Sequence, residues 1–427
     1  METDNRIAIA DERSWLKSLS RGRSLEMQGF WAIADQGVVS LGNFLTTIIL
    51  ARTVSPHVYG IWTVIFGLIL FLNVLHASLI TYPLSVRLAS RDTEKGQLVV
   101  ASLALTTLLV LPQALILFVV VFVIAGPTLG LCACLALLFW QLQETTRRAL
   151  MARLSFRTTL FTDAISYLGQ AGVLWLLARN GKLSVEVGFG VIALTCGVAA
   201  VVQVTRLGVR VRGTGPLRLR LWARSFWETG NWVLGSNLLG NFSLQAVPWA
   251  LFLFRGPAEA AAFQAISNLL GVSHPIMLSM GNIIVPAAAV AHVKRGFVAA
   301  RRVALRHAAQ GGVLLLPYVA ALLVFPRPLL ELFYGQGSPY VVLASALRLL
   351  TVVYALNYFS LTLKFLLNAL EKNRLQFVVE LCGTLLLAVL VVPLVLRFGL
   401  SGAIFATGLA LATRLASNMV ILRQVKA

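Results

Sequence analysis

Charge is scarce in this 427-residue chain: only 12% of its residues are Asp, Glu, Lys or Arg, and only 16 are acids. Soluble domains carry about a quarter charged residues, so a water-facing globule is excluded. Cysteine is equally scarce. Cys132, Cys134, Cys196 and Cys382 all fall inside apolar runs, where cysteine acts as a small buried hydrophobe. Cys132-x-Cys134 has no His or carboxylate beside it, so no metal site is expected. A phosphate-binding G-x-x-x-x-G-K loop is missing, as are a zinc-type His/Glu cluster and a nucleophile elbow. No enzyme activity and no cofactor are therefore expected. Large polar loops are lacking on one side of the apolar runs, and little more than Gly126-Pro127 separates the third run from the fourth. Function must then lie within the apolar part. The first 26 residues carry Glu2, Asp4, Asp11 and Glu12 ahead of a full-length apolar run, a pattern unlike a cleavable signal peptide.

What is abundant is hydrophobicity, 58% of residues with mean hydropathy +0.83. Twelve runs of spanning length occupy roughly 28–50, 59–82, 98–125, 128–148, 158–178, 185–206, 227–252, 260–284, 305–325, 340–366, 375–396 and 400–422. Of the 36 Lys and Arg, 27 fall in, or within two residues of, the termini and the loops after even-numbered spans. Basic loops stay cytoplasmic, so both termini are expected inside. The net charge of +20 then serves topology and contact with anionic membrane lipids; nucleic acid is not an expected partner.

The first six spans recur, in order, as the last six. Gly29-Phe30-Trp31 matches Gly230-Asn231-Trp232, Pro83 matches Pro286, the run ending at Pro112 matches that ending at Pro317, and Arg157 with Asp163 matches Arg374 with Glu380, at offsets of 201, 203, 205 and 217. The expected fold class is an all-α polytopic membrane protein of twelve transmembrane helices in two six-helix lobes, related by pseudo-two-fold symmetry along the membrane normal. Residues 1–26 form a cytoplasmic tail in which Trp15, Leu16 and Leu19 suggest a short amphipathic helix. The lobes are 27–206 and 226–427, joined by a basic connector at 207–225. Duplicated halves of this kind place a substrate path between them and rock in alternating access.

Span 1 carries Gln36, Ser40, Asn43 and Thr47 on one helical face, and span 7 carries Asn237, Asn241 and Gln245. Matching polar stripes read as a hydrophilic path, or as hydrogen-bonding glue between helices. Asn357 and Tyr358 of span 10 extend the path. Arg52, Arg255, Arg348 and Lys364 are candidate headgroup cations, since guanidinium grips phosphate oxygens two at a time. Snorkelling to the interface is the alternative for Arg348 and Lys364, and Arg414 is expected to snorkel. Asp35, Asp163, Glu228 and Glu380 sit near cytoplasmic helix starts, where the helix dipole favours a carboxylate. They are candidates for ion coupling or an inner gate.

The segment Leu50-Ala51-Arg52-Thr53-Val54-Ser55-Pro56-His57-Val58-Tyr59-Gly60, with Phe254-Arg255-Gly256-Pro257 in the second half and Arg147-Arg148-Ala149-Leu150-Met151-Ala152-Arg153 after span 4, resembles the polysaccharide transport (O-antigen flippase-like) branch of the multidrug/oligosaccharidyl-lipid/polysaccharide exporter superfamily. That resemblance spans the whole chain. It implies flipping of an undecaprenyl-diphosphate-linked oligosaccharide across the bacterial cytoplasmic (inner) membrane, with a cationic cavity for the headgroup and H+ or Na+ as coupling ion. Polysaccharide polymerase machinery is an expected partner, and a monomer the expected state. A cation-coupled multidrug antiporter of the same superfamily is the alternative.

Overall fold

The computed structural model describes the backbone of residues 2–90, 95–208 and 218–426, and side chains from residue 27 onward within those stretches except at a few positions. The side chains of the expected amphipathic helix around Trp15, and the centre of the expected connector, 209–217, lie outside what is described. Among the described residues the chain is helical throughout, with short turns and no strand.

Helix boundaries follow local chemistry. Helix α1 (Glu2–Thr53) gives way to α2 (Pro56–His76) at Ser55-Pro56, where the Ser55 hydroxyl accepts from Val58 N at 3.4 Å and proline supplies the first helical residue. A π-helical turn (Ala77–Thr81) leads into α3 (Tyr82–Ser90). Helix α4 (Lys95–Ala125) meets α5 (Pro127–Ala152) at Gly126, whose φ of 90° only glycine adopts readily. Helix α6 (Phe156–Asp163) passes through a second π turn (Ala164–Leu168) into α7 (Gly169–Arg179), followed by α8 (Val185–Leu207). In the second half, α9 (Leu219–Arg255) meets α10 (Pro257–Gly271) at another Gly-Pro turn. Then come α11 (His274–Val324), the short α12 (Pro326–Tyr334), α13 (Ala344–Ala369) and α14 (Asn373–Lys426). Non-helical Gly296 and Gly399 break α11 and α14 internally.

Eight stretches are long and apolar enough to cross a membrane by length and composition: Met27–Thr53, Pro56–Leu88, Gly96–Ala125, Phe156–Arg179, Val185–Leu207, His274–Val324, Val341–Ala369 and Arg374–Gln424. This is a multi-pass membrane protein. Eight differs from twelve for identifiable reasons. Expected spans 4 and 7 fall on α5 and α9, which are full-length helices absent from the eight; α5 carries Gln141, Gln143, Glu144, Arg147 and Arg148. Expected span 8 is divided between α10 and the start of α11, and spans 11 and 12 lie within α14 on either side of Gly399.

The duplication has a backbone signature. Among the described residues, the two non-glycine residues with left-handed φ, Leu154 (58°) and Glu371 (59°), are 217 positions apart. Each sits in a turn closed by a hydrogen bond from the next residue's N–H to the carbonyl five back: Ser155 to Leu150 at 3.0 Å, and Lys372 to Leu367 at 3.1 Å.

One apolar core joins the halves, running from Ile48 to Leu411. Within it Trp62 stacks on Phe189 (centroids 4.2 Å) and on Phe66, with Phe66 against Trp140. Lipid tails supply no hydrophobic drive between helices, so close van der Waals contact at small residues replaces it. Along the seam, α2 packs on both α9 and α10. A Cβ at Gly60 would overlap the Pro257 carbonyl, and one at Gly230 the Ser78 carbonyl.

Candidate functional site

The polar residues of the first half converge on Arg147 of α5. Its guanidinium is nearly buried, with the side chain 7% exposed, and it bridges two carboxylates on other helices. Asp35 of α1 accepts from Nη2 at 2.8 Å, and Asp163, last residue of α6 before the second π turn, accepts from Nε. Glu144 lies one turn back at 3.3 Å and also takes Arg148 at 2.6 Å. Asp163 Oδ1 accepts from Gln143 Nε2 at 3.1 Å. Gln203 of α8 donates to Thr162 at 2.9 Å and accepts from Thr146 at 2.5 Å. Helices α1, α5, α6 and α8 are thus tied together by charge in a region too apolar to tolerate an unpaired ion.

A neutral annex adjoins it. His76, just before the first π turn, shares Nε2 with Thr145 (2.9 Å) and Thr106 (3.3 Å). Gln141 donates to Gln113 at 2.6 Å and to Asn73 at 3.0 Å. Both π turns therefore follow a buried polar residue, a placement typical of functional positions.

The second half carries the same pair at the same spacing. Lys364 of α13 donates to Glu380 of α14 at 2.8 Å. Arg147–Asp163 and Lys364–Glu380 are both 16 residues apart, and the pairs are offset by 217. The surroundings differ. In the first half an extra carboxylate, Asp35, joins the cation; in the second an extra cation, Arg414, joins the carboxylate at 3.2 Å and also donates to Ser243 and Thr384. Arg414 is thus a half-buried partner of Glu380, not a snorkelling residue, with its side chain 15% exposed. The reason is geometric: Gly383 opens the space that its stem fills.

The polar stripes take different surroundings. On α1, Gln36 is exposed and reaches only Ser40 (3.4 Å), while Asn43 and Thr47 are half-buried, with the Thr47 hydroxyl turned back on the Asn43 and Phe44 carbonyls. On α9, Asn237 donates across the seam to Ser78 at 3.0 Å and Gln245 is buried against Gly67 of α2. Asn241 reaches the Asn237 carbonyl at 3.5 Å. The α9 stripe therefore lies along the seam with α2, while the α1 stripe is open at its N-terminal end.

The seam is tied at both ends. Arg87 donates to the Ser225 carbonyl at 2.7 Å and to Thr229 at 3.0 Å, with its guanidinium over Phe226. At the other end Asn268 donates to Tyr59 at 2.9 Å. By contrast, α1 leaves Phe30, Ile33 and Leu41 more than half exposed, and a ring contact with the second half, Phe44 on Phe333 at 5.3 Å, lies further along.

The remaining candidates are dispersed. Arg255 donates to the Val395 and Leu396 carbonyls at 3.0 Å, just before the Gly399 break, and exposed Arg348 donates to the Leu323 carbonyl at 2.8 Å. Both satisfy carbonyls at helix ends. Exposed Arg52 lines a mainly apolar groove between α1 and α7 with Ile48, Ile49 and Trp175. Asn357 is half-buried, and Tyr358 donates to the Ala308 carbonyl. Glu228 pairs with Arg224 at 3.0 Å in an exposed helical bridge. Among the described residues, no group of three or more His, Cys, Asp or Glu is placed to hold a metal ion.

Sequence reasoning counted Arg147 as a loop cation and passed over Gln143 and Gln203. The signal that could have found Arg147 was the 16-residue spacing to an acid, repeated in both halves.

No family model and no curated protein matches this chain. Solved structures do. An inward-facing multidrug resistance MATE family transporter of the MOP superfamily superposes with a TM-score of 0.70 at 14% identity, covering 92% of this chain and 99% of its own. The lipid II flippase MurJ, in an inward closed conformation, superposes at 0.71 with 13% identity, covering 93% and 87%. The MATE multidrug transporter DinF-BH, in complex with R6G, gives 0.64 at 17% identity, covering 94% and 95%. Over nearly its whole length, the chain has the fold of membrane transporters of the MOP superfamily.

Proposed function

We propose that this protein flips an undecaprenyl-diphosphate-linked oligosaccharide across the bacterial cytoplasmic membrane by alternating access, as a monomer. In this reading twelve spans form two six-helix lobes, 27–206 and 226–427, with 207–225 as tether and both termini cytoplasmic. The halves rock about the α2 seam, and the open inner end of α1, with Gln36 at its mouth, receives the sugar headgroup. Lys364 and Arg414, one charge in excess over Glu380, are the cations best placed for the diphosphate. Asp35 and Asp163, held by Arg147, form the proton- or sodium-responsive inner element.

The observation that carries this reading over a drug antiporter is the state of the four carboxylates in the two ion-pair clusters. Asp35, Glu144, Asp163 and Glu380 are each already paired with a basic side chain of the protein. A carrier of cationic drugs needs a carboxylate free to meet its substrate, whereas a carrier of an anionic diphosphate needs cations in surplus. The likeness in fold to a protein named as a lipid II flippase agrees with a lipid-linked substrate.

The test is sidedness of lipid-linked glycan in cells lacking this protein, read with a membrane-impermeant lectin. Glycan trapped on the cytoplasmic leaflet, released by the wild-type gene, is expected. Normal surface glycan with no trapped intermediate, together with increased sensitivity to cationic dyes, would move the assignment to the antiporter.

A further inference from the structure

A cavity of about 460 Å³ lies between the start of the apolar part of α1 and the turn from α5 into α6, lined in part by Gln28, Trp31, Ser155, Phe156, Arg157 and Thr158. It is separate from the polar stripes and from both ion pairs. Its position is at the membrane boundary, because Trp31 and Arg157 stand within the first turns of the stretches Met27–Thr53 and Phe156–Arg179. Tryptophan and arginine at such a level favour headgroup contact.

The local backbone builds the cavity. Leu154, at φ 58°, reverses the chain after α5 so that α6 can start beside α1, at a cost of about 1 kcal/mol for a left-handed residue. Arg157 is exposed and makes no ion pair among the described residues, in contrast to Arg147 and Arg148 of the preceding helix. Its guanidinium carbon lies 5.9 Å from the Trp31 ring centroid and 6.0 Å from that of Phe161. Ring contacts of this kind steady the cation while leaving its N–H donors, which lie in the guanidinium plane, available. Ser155, at the start of α6, makes no capping bond with its side chain. Oε1 of Gln28 is buried without a partner. A cation and three further polar side chains thus converge on one space beside the apolar Met27 and Leu154.

We propose that this cavity binds the phosphate of an anionic phospholipid from the leaflet that the basic loops face. Arg157 grips the phosphate oxygens, the Ser155 and Thr158 hydroxyls donate to the headgroup, and Met27 and Leu154 meet the first methylenes of the acyl chains. Bound there, the lipid pins residues 27–31 of α1 to the first turn of α6 from outside, on the same two helices that carry Asp35 and Asp163. The site does not depend on the flippase reading: a protein that moves some other substrate would still hold this lipid.

The test uses the full-length protein in mild detergent, titrated with phosphatidylglycerol, phosphatidylcholine or soluble glycerol 1-phosphate, with bound copies counted by native mass spectrometry. Phosphatidylglycerol is expected to bind saturably, and Arg157→Gln to weaken it about tenfold, the scale of one charge-assisted phosphate contact. Arg157→Lys keeps charge and fold but loses bidentate geometry, and should weaken binding about threefold. Arg302→Gln, an exposed arginine on α11, should leave it unchanged. Equal binding of phosphatidylcholine, which carries the same phosphodiester, overturns the assignment to an anionic lipid, and wild-type affinity in both Arg157 variants overturns the phosphate assignment. Displacement by glycerol 1-phosphate at comparable concentration overturns the lipid, leaving a site for free phosphate esters.

Discussion

Arg147→Met should be the most damaging single charge removal in the protein, and Lys364→Met should be mild, although the two occupy equivalent places in the repeat. The side chains of Asp35 and Asp163 are 1% and 0% exposed, and Arg147 is the basic residue that meets both. Deleting it leaves two carboxylates desolvated and adjacent, and breaking a buried pair by removing one partner costs about 3–5 kcal/mol. Glu144 is spared, because Arg148 still meets it at 2.6 Å. In the second half Lys364 is 32% and Glu380 21% exposed, and Arg414 stays 3.2 Å from Glu380 when Lys364 is gone. Solvent screening and the remaining cation reduce that loss to about 1 kcal/mol or less. Unfolding in mixed micelles titrated with SDS, followed by tryptophan fluorescence, measures both. The gap between the two variants should be at least about 2 kcal/mol, and adding Asp163→Asn to Arg147→Met should recover part of the loss. Equal destabilisation by the two variants, or no recovery in the double variant, would refute the claim that burial and partner number set the cost.

The seam offers a test of movement: cysteines replacing Ser78 and Asn237, whose side chains meet at 3.0 Å, should crosslink on oxidation and stop transport until reduced. Transport continuing through a quantitative crosslink would show that this seam does not open. Gly60→Val and Gly230→Val should both lower the folded yield in size-exclusion profiles, since each Cβ would overlap a carbonyl of the other half; Gly235→Val, with nothing within 4 Å, is the matched control and should be tolerated. Gln203→Leu should cost about 1 kcal/mol in the same SDS titration, by removing its bonds to Thr146 and Thr162. A neutral result there would mean that the threonines find replacement partners in their own helices.

The sequence by itself determined that the chain is a helical membrane protein, because hydropathy and charge scarcity need no tertiary information. It also determined most helix ends, since Ser-Pro and Gly-Pro turns act on their own neighbours, and it exposed the repeat, down to the Arg157/Asp163 and Arg374/Glu380 registers. Asp35, Asp163 and Glu380 were legible as unusual because a carboxylate in an apolar run is costly wherever it points. What they meet was not legible. Arg147 looked like a loop cation by position, and only the packing of α5 between α1, α6 and α8 turned it inward. That Arg255 and Arg348 meet helix-end carbonyls was not legible either, because which helix ends lie within a side chain's reach is a property of the bundle. The matched polar stripes part company for the same reason. Asn237 and Gln245 lie along the α2 seam while Gln36 stays open, because side-chain period fixes which residues share a face and only tertiary packing decides what that face meets.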